Sequence, residues 1–162
     1  MVYVNNKPIV NTMHMFNSSK ATSIDVSSYY MKNVVQMTYM FNKAEATEII
    51  GISNFGEINA ANIGGMFDAM PNLVTLDLTG WDTKNVTNMN VLFRNTPMLT
   101  TIYVSDKFVT TNLANSAKLF GGNTNLVGGN GTHFDANHLN KPYAIIDGTN
   151  NKPGYFTEGP AV

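Results

Sequence analysis

No cysteine occurs in the 162 residues. Disulfides, zinc–thiolate centres, iron–sulfur clusters and thiol nucleophiles are therefore excluded, and the redox compartment stays open. Charge is also scarce. Only 13% of residues are Asp, Glu, Lys or Arg and the formal net charge is −1, against the roughly 25% charged share of an ordinary globular chain. The few Lys and Arg are scattered and form no basic stripe, which argues against nucleic acid as a partner. No apolar run approaches the roughly 20 residues of a membrane helix, so no membrane insertion is expected. Residues 1–10 lack a basic stretch followed by a long apolar one, so no signal peptide is read there. What is present is 43% hydrophobic residues, together with 23 Asn and 17 Thr that supply the polarity. A chain of this size makes one domain, able to bury roughly 70% of its unfolded surface.

The second feature present is a repeat. Phe16, Phe41, Phe67, Phe93 and Phe120 stand 25, 26, 26 and 27 residues apart, each preceded by Met or Leu. An aromatic stands 12 residues before each of the last four: Tyr29, Phe55, Trp81 and Phe108. An aliphatic pair keeps the same register, as Ile24-x-Val26, Ile50-x-Ile52, Leu76-x-Leu78 and Ile102-x-Val104. Each pair predicts a short strand with both aliphatics inward. Val86, Met89, Leu92 and Phe93 predict one face of a short helix or helical turn, with Asn85 or Thr87 as N-cap. The aromatic between strand and turn, Trp81 in the fourth copy, should plug the interior. Asn11, Asn62, Asn88 and Asn115, with Gln36 in the second copy, form a polar column expected to ladder or to satisfy turn backbone.

One unit cannot bury its own apolar face, whereas stacked units can. The expected fold is a right-handed α/β solenoid of the leucine-rich-repeat type, with about four to five coils of ~26 residues, each a short parallel strand and a short helical turn. Residues 1–126 form the solenoid, with 1–9 a partial N-terminal coil. The period breaks after Leu126, and residues 127–157 are expected to cap the exposed end, with Tyr143–Asp147 as a strand and Tyr155-Phe156 as a final apolar contact. Residues 158–162 read as a tail or linker.

The fourth copy, Leu73-Val-Thr-Leu-Asp-Leu-Thr-Gly-Trp-Asp-Thr-Lys-Asn-Val-Thr-Asn-Met-Asn-Val-Leu-Phe93, resembles the repeat of the BspA-like leucine-rich-repeat surface proteins. Thr101-Ile-Tyr-Val-Ser105, Leu126-Val-Gly-Gly-Asn-Gly-Thr132 and Pro153-Gly-Tyr-Phe-Thr157 resemble that family's terminal segment. The match runs over about residues 9–157. Where the family often has Cys, this chain has Ser19, Ala44, Met70, Thr96 and Asn123, a position expected to need something small or apolar. The Asp that follows the aromatic is kept only as Asp82. The resemblance implies an exported or cell-wall-associated bacterial protein, extracellular or on the cell surface, that binds a host or bacterial surface protein or glycan.

Candidate chemistry is thin. The methionines on repeat positions (Met15, Met37, Met40, Met66, Met89) read as core filling and not as a soft-metal site. His133-x-Asp135-x-x-His138 lacks the spacing that sets two His on one helix face and lies in a Gly-rich loop, so no metal is assigned. His14 is expected to face solvent. The loop from Gly128 to Thr132 lacks the Lys-Ser/Thr of a phosphate cradle and reads as a turn. Asn17-Ser-Ser19, Asn85-Val-Thr87 and Asn130-Gly-Thr132 match the glycosylation acceptor pattern, as chance expects in so Asn- and Thr-rich a chain.

No Ser, His and Asp set can be argued from spacing, so no catalytic residue and no cofactor are expected. Asp25, Gly51, Asp77 and Tyr103 form the central outward strand column, flanked by Ser23, Ile49, Thr75 and Thr101. From these, Asp25, Asp77, Thr101 and Tyr103 are the candidate ligand-binding residues, Tyr103 as an aromatic anchor beside a carboxylate. The expected function is a monomeric, non-enzymatic interaction or adhesion module. A structural spacer within a longer wall-associated protein is the alternative. A glycan hydrolase would require two carboxylates facing across a groove.

Overall fold

Short stretches where aliphatic and polar residues alternate set the strands. In the computed structural model, which describes residues 3–4 and 7–159, Tyr3–Val4 (β1) and Lys7–Pro8 (β2) pair antiparallel. Then come Ser23–Asp25 (β3), Glu48–Ile50 (β4), Thr75–Asp77 (β5), Thr101–Val104 (β6) and Phe156–Glu158 (β7). β3 pairs with β4, and β5 with β6 and β7, all parallel. Ile24, Ile49, Leu76 and Ile102 point inward, and the residues that follow each of them lie at the surface. The described part of the first nine residues is thus an antiparallel hairpin; residues 1, 2, 5 and 6 lie outside the described residues.

One register expectation is corrected. Ile49, not Ile50, pairs with Ile24, while Ile50 pairs with Asp25 and is 44% exposed. The third copy carries one extra residue between its inward positions Ile49 and Ile52. Gly51 absorbs it in the left-handed region (φ 77°), where its missing Cβ also leaves room for the Ser27 backbone. The chain then enters a single 3₁₀ turn, Ile52–Phe55.

The expected helical turn is not a helix. Between Asn11 and Ser19 alternate peptide groups close local turns (Met15 N–H to Thr12 O, Asn17 N–H to His14 O, Ser19 N–H to Phe16 O). The peptides between them point along the stack and donate to the next copy: Thr12 N–H to Gln36 O, His14 to Thr38 O, Phe16 to Met40 O and Ser18 to Asn42 O. Such a ribbon needs two left-handed residues per copy. They are His14, Tyr39, Gly65, Val91 and Lys118 in one column, and Ser18, Lys43, Ala69, Asn95 and Gly122 in the other. A helix would have spent its N–H groups internally; the ribbon spends half of them between copies. Thr87 and Asn85 accordingly cap nothing helical; the Thr87 hydroxyl donates to Ala61 O at 3.2 Å and the Asn85 amide donates to Asn59 Oδ1 at 3.3 Å.

The ring column forms one continuous file. Phe16, Phe41, Phe67, Phe93 and Phe120 stack with centroids 5.4 to 5.8 Å apart and planes within 17°. The last four are fully buried, each burial contributing roughly 1.5–3 kcal/mol. Trp81 is also fully buried, stacked on Phe55, and its indole N–H donates to Ile52 O at 2.8 Å. The position expected to need a small or apolar residue also takes polar ones. Thr96 and Asn123 are both fully buried; the Thr96 hydroxyl donates to Phe93 O at 2.6 Å and accepts from the Asn123 amide at 2.7 Å.

The C-terminal segment closes the file. Residues 143–147 do not form the expected strand. Lys141–Tyr143 is a 3₁₀ turn led by Pro142, and Ile146 makes a single bridge to Phe156. The place beside β6 belongs to β7, which includes Glu158, so the ordered cap reaches past the expected boundary at residue 157. Tyr155 sits fully buried, edge-on to Phe120 at 4.9 Å, its hydroxyl donating to His138 O (2.9 Å) and accepting from Asp135 N–H (3.0 Å).

Candidate functional site

The strand register decides which outward residues meet. Asp77 stands beside Tyr103, and Tyr103 beside Thr157, across β5, β6 and β7; Thr101 stands beside Thr75 on the same sheet. Asp77, Thr101 and Tyr103 are half-buried, so the face is shaped and not fully solvated. Asp25 belongs to the other sheet, with Ile50 as its neighbour, and the structure does not bring it to the Asp77–Tyr103 pair. Gly51 leaves the column altogether, and exposed Ile50 takes the place given to it.

Two of the carboxylates have local work. Asp25 Oδ1 accepts from Ser27 N–H at 2.9 Å and from its hydroxyl at 2.5 Å, and these bonds, the hydroxyl first, hold its carboxyl below the ordinary value. Asp77 Oδ1 makes the same pair with Thr79, at 2.9 and 2.5 Å. Both close the turn that leaves the strand. Among the described residues neither Oδ2 accepts a hydrogen bond. Tyr103 supplies the adjacent ring.

The Asn column behaves differently from a side-chain ladder. Asn11, Asn62 and Asn88 each accept, through Oδ1, the N–H two residues on, at 2.8–2.9 Å, while their backbones bridge to neighbouring copies. A ladder does exist one residue after each of the first four Phe, where the residues are Asn17, Asn42, Asp68 and Arg94. Asn17 donates to Asn42 Oδ1 at 3.2 Å, and Asn42 donates to Asp68 O and Oδ2 at 3.0 and 3.2 Å. Arg94 grips the same Asp68 with Nε and Nη2 at 2.9 and 2.7 Å. Asp68 is 3% exposed, and hydrogen bonding to it raises the Arg94 guanidinium above its ordinary value.

In the cap, the loop from Gly128 to Thr132 does cradle an anion, but an internal one. Asp147 accepts from Asn130 N–H (2.9 Å), Thr132 N–H (3.0 Å), the Thr132 hydroxyl (2.7 Å) and Gly154 N–H (3.1 Å). Burial pushes its carboxyl up; the donors, led by Thr132, outweigh that and hold it below the ordinary value. Nothing in the spacing of Asp147 pointed to this role.

His138 stacks on Tyr143 at 4.5 Å and lies 3.8 Å from Asp135, both imidazole and carboxylate about half exposed. Among the described residues no group of three His, Asp or Glu side chains converges as a metal site would require. His14, exposed as expected, lies flat on Tyr39 with ring centroids 5.4 Å apart. Among the described residues no helix is long and apolar enough to cross a membrane.

A family described as Mycoplasma protein of unknown function, DUF285, matches residues 10–134, more than half of the chain, and the chain belongs to that family. No curated protein and no solved structure matches it.

Proposed function

From that membership, we propose that the chain is a non-enzymatic interaction module on a bacterial surface, of the BspA-like leucine-rich-repeat kind. It is built as a right-handed solenoid and binds a surface protein or glycan through the outward face of β5, β6 and β7. The observation that carries the reading is the register that sets Tyr103 between Asp77 and Thr157 on one parallel sheet. An aromatic flanked by an anchored acceptor and a hydroxyl suits recognition of a polar ligand better than it suits chemistry. Right-handedness follows from the crossover rule for parallel strands. Extracellular placement rests on the repeat's resemblance to surface proteins.

The test is capture of purified surface glycans and surface proteins by the immobilised chain. Tyr103→Ala, which removes a half-buried ring at no hydrogen-bond cost, is expected to abolish capture while far-UV circular dichroism stays unchanged. Capture that survives Tyr103→Ala overturns this face as the site. A spacer role is the second reading. It is favoured by the unbroken ring file from Phe16 to Phe120, which makes a stiff rod. It expects no capture by any surface ligand.

A further inference from the structure

Glycine follows Asn or Asp at two places in the chain, Asn130-Gly131 and Asp147-Gly148. In such pairs the backbone nitrogen reaches the preceding side-chain carbonyl carbon most readily, because glycine brings no Cβ to the approach. The structure clasps the two pairs against each other in the cap. Asn130 N–H donates to Asp147 Oδ2 at 2.9 Å, and Asn130 Nδ2 donates to the Asp147 backbone oxygen at 3.0 Å. Both nitrogens that would attack are engaged: Gly131 N–H donates to Gly128 O and Gly148 N–H to Lys152 O, each at 2.9 Å. A Cβ on Gly148 would lie 2.2 Å from Asn130 Nδ2, so the clasp itself requires glycine there. Asn130 and Gly131 are nonetheless exposed, so water reaches them.

We propose that Asn130 is a self-modification site held shut by this clasp, converting to aspartate or isoaspartate when the cap opens. Opening frees the Gly131 N–H from Gly128 O and the Asn130 side chain from Asp147 O. The Gly131 nitrogen gives its proton to a solvent base and bonds to Asn130 Cγ. The Cγ–Nδ2 bond breaks, and Nδ2 takes up a proton and leaves as ammonia. Water then opens the cyclic imide at either carbonyl; the net change is addition of water and loss of ammonia, with no change of oxidation state. The product does not fit back. Aspartate at 130 sets a second carboxylate against Asp147 and lacks the amide hydrogen that Asp147 O accepts. Isoaspartate also lengthens the main chain between the Asn130 and Thr132 N–H groups, which Asp147 Oδ2 accepts together. Asp147 is the spared member of the pair. Its carboxylate, gripped by Thr132 and Gly154 as well, offers the Gly148 nitrogen no leaving group.

The test incubates the full chain in neutral buffer beside a synthetic peptide with the sequence of residues 126–134. Conversion at position 130 is followed by peptide mapping with mass spectrometry. The peptide is expected to convert at least about tenfold faster than the chain, the ratio being set by how seldom the cap opens. Asp147→Ala leaves the local sequence around Asn130 intact and should speed conversion in the chain by at least about tenfold, through easier opening. Thr132→Val removes one donor to Asp147 and keeps the others; its chain should show a smaller acceleration after division by the rate of the matching peptide. Phe41→Leu, in the stack away from the cap, should leave the rate as it is. Asn130→Asp should lower the urea midpoint further than Asn130→Ser, since only the first adds a charge beside Asp147. Conversion of the folded chain at the peptide's rate, no acceleration in Asp147→Ala and Thr132→Val, equal acceleration in Phe41→Leu, or a midpoint for Asn130→Asp at or above that of Asn130→Ser would each overturn the proposal.

Discussion

The file of rings ends differently at Phe120 and at Phe16. At Phe120 the next surface is Tyr155, fully buried, edge-on and hydrogen-bonded at both hydroxyl positions, with Asp147 locking the loop around it. At Phe16 the ring is only half-buried, the neighbouring methionines face water, and the outward carbonyls have no described backbone donor. Interior copies have a neighbour on each side, so the ends set how much of the repeat's apolar surface is left over. The contrast teaches that burial in this chain is a property of position in the stack. The same Phe is worth more or less according to what lies beyond it.

That comparison can be broken most directly at the closed end. Tyr155→Ala is expected to destabilise by about 3–5 kcal/mol in urea unfolding, since it removes a fully buried ring and orphans its polar partners. If it costs no more than a substitution at Phe16, the two ends are energetically equivalent. Next in size is Asp147→Ala, expected to cost about 3 kcal/mol through loss of several hydrogen bonds to a charged acceptor.

Its pH dependence follows from sign. Asp147 has a folded value below the ordinary one, so its contribution is complete above the unfolded carboxyl value of roughly 3.9 and is lost as pH falls through the lower folded value. Stability of the wild-type chain should therefore fall more steeply than that of Asp147→Asn below about pH 4. Parallel curves from urea titrations would remove Asp147 as the lock.

At the Phe16 end, Phe16→Ala should cost only about 1–2 kcal/mol by the same measurement, because part of the ring already meets solvent. The smallest effect belongs to neither end and has the opposite sign. Val91 is β-branched yet sits at φ 53°. Val91→Asn relieves that strain and should stabilise by about 1 kcal/mol, read as a shift in urea midpoint.

Legibility in the sequence followed side-chain identity. The Phe column, the aromatic column and three of the four aliphatic pairs recur as residue types, and each lies at the inward place their spacing demanded. The second pair slipped by one because Ile49, Ile50 and Ile52 are interchangeable to a pattern reader, and only the left-handed turn at Gly51 distinguishes them. Asp77, Thr101 and Tyr103 were found as outward strand residues, while the separation of Asp25 from them depended on which strands pair. The Asn42–Asp68–Arg94 ladder escaped notice because the column changes residue type at almost every copy. Asp147 escaped because its donors come from a loop 15 to 17 residues earlier.

The sequence by itself determined the period and the greasy columns, because hydrophobic spacing along a chain is a one-dimensional property that stacking must respect. Only the tertiary structure decided the form of the turn. Tyr39, Val91 and Lys118 have no local preference for left-handed backbone. They adopt it because each ribbon then turns its amides toward the next copy's carbonyls, a gain that exists only when the next copy is there.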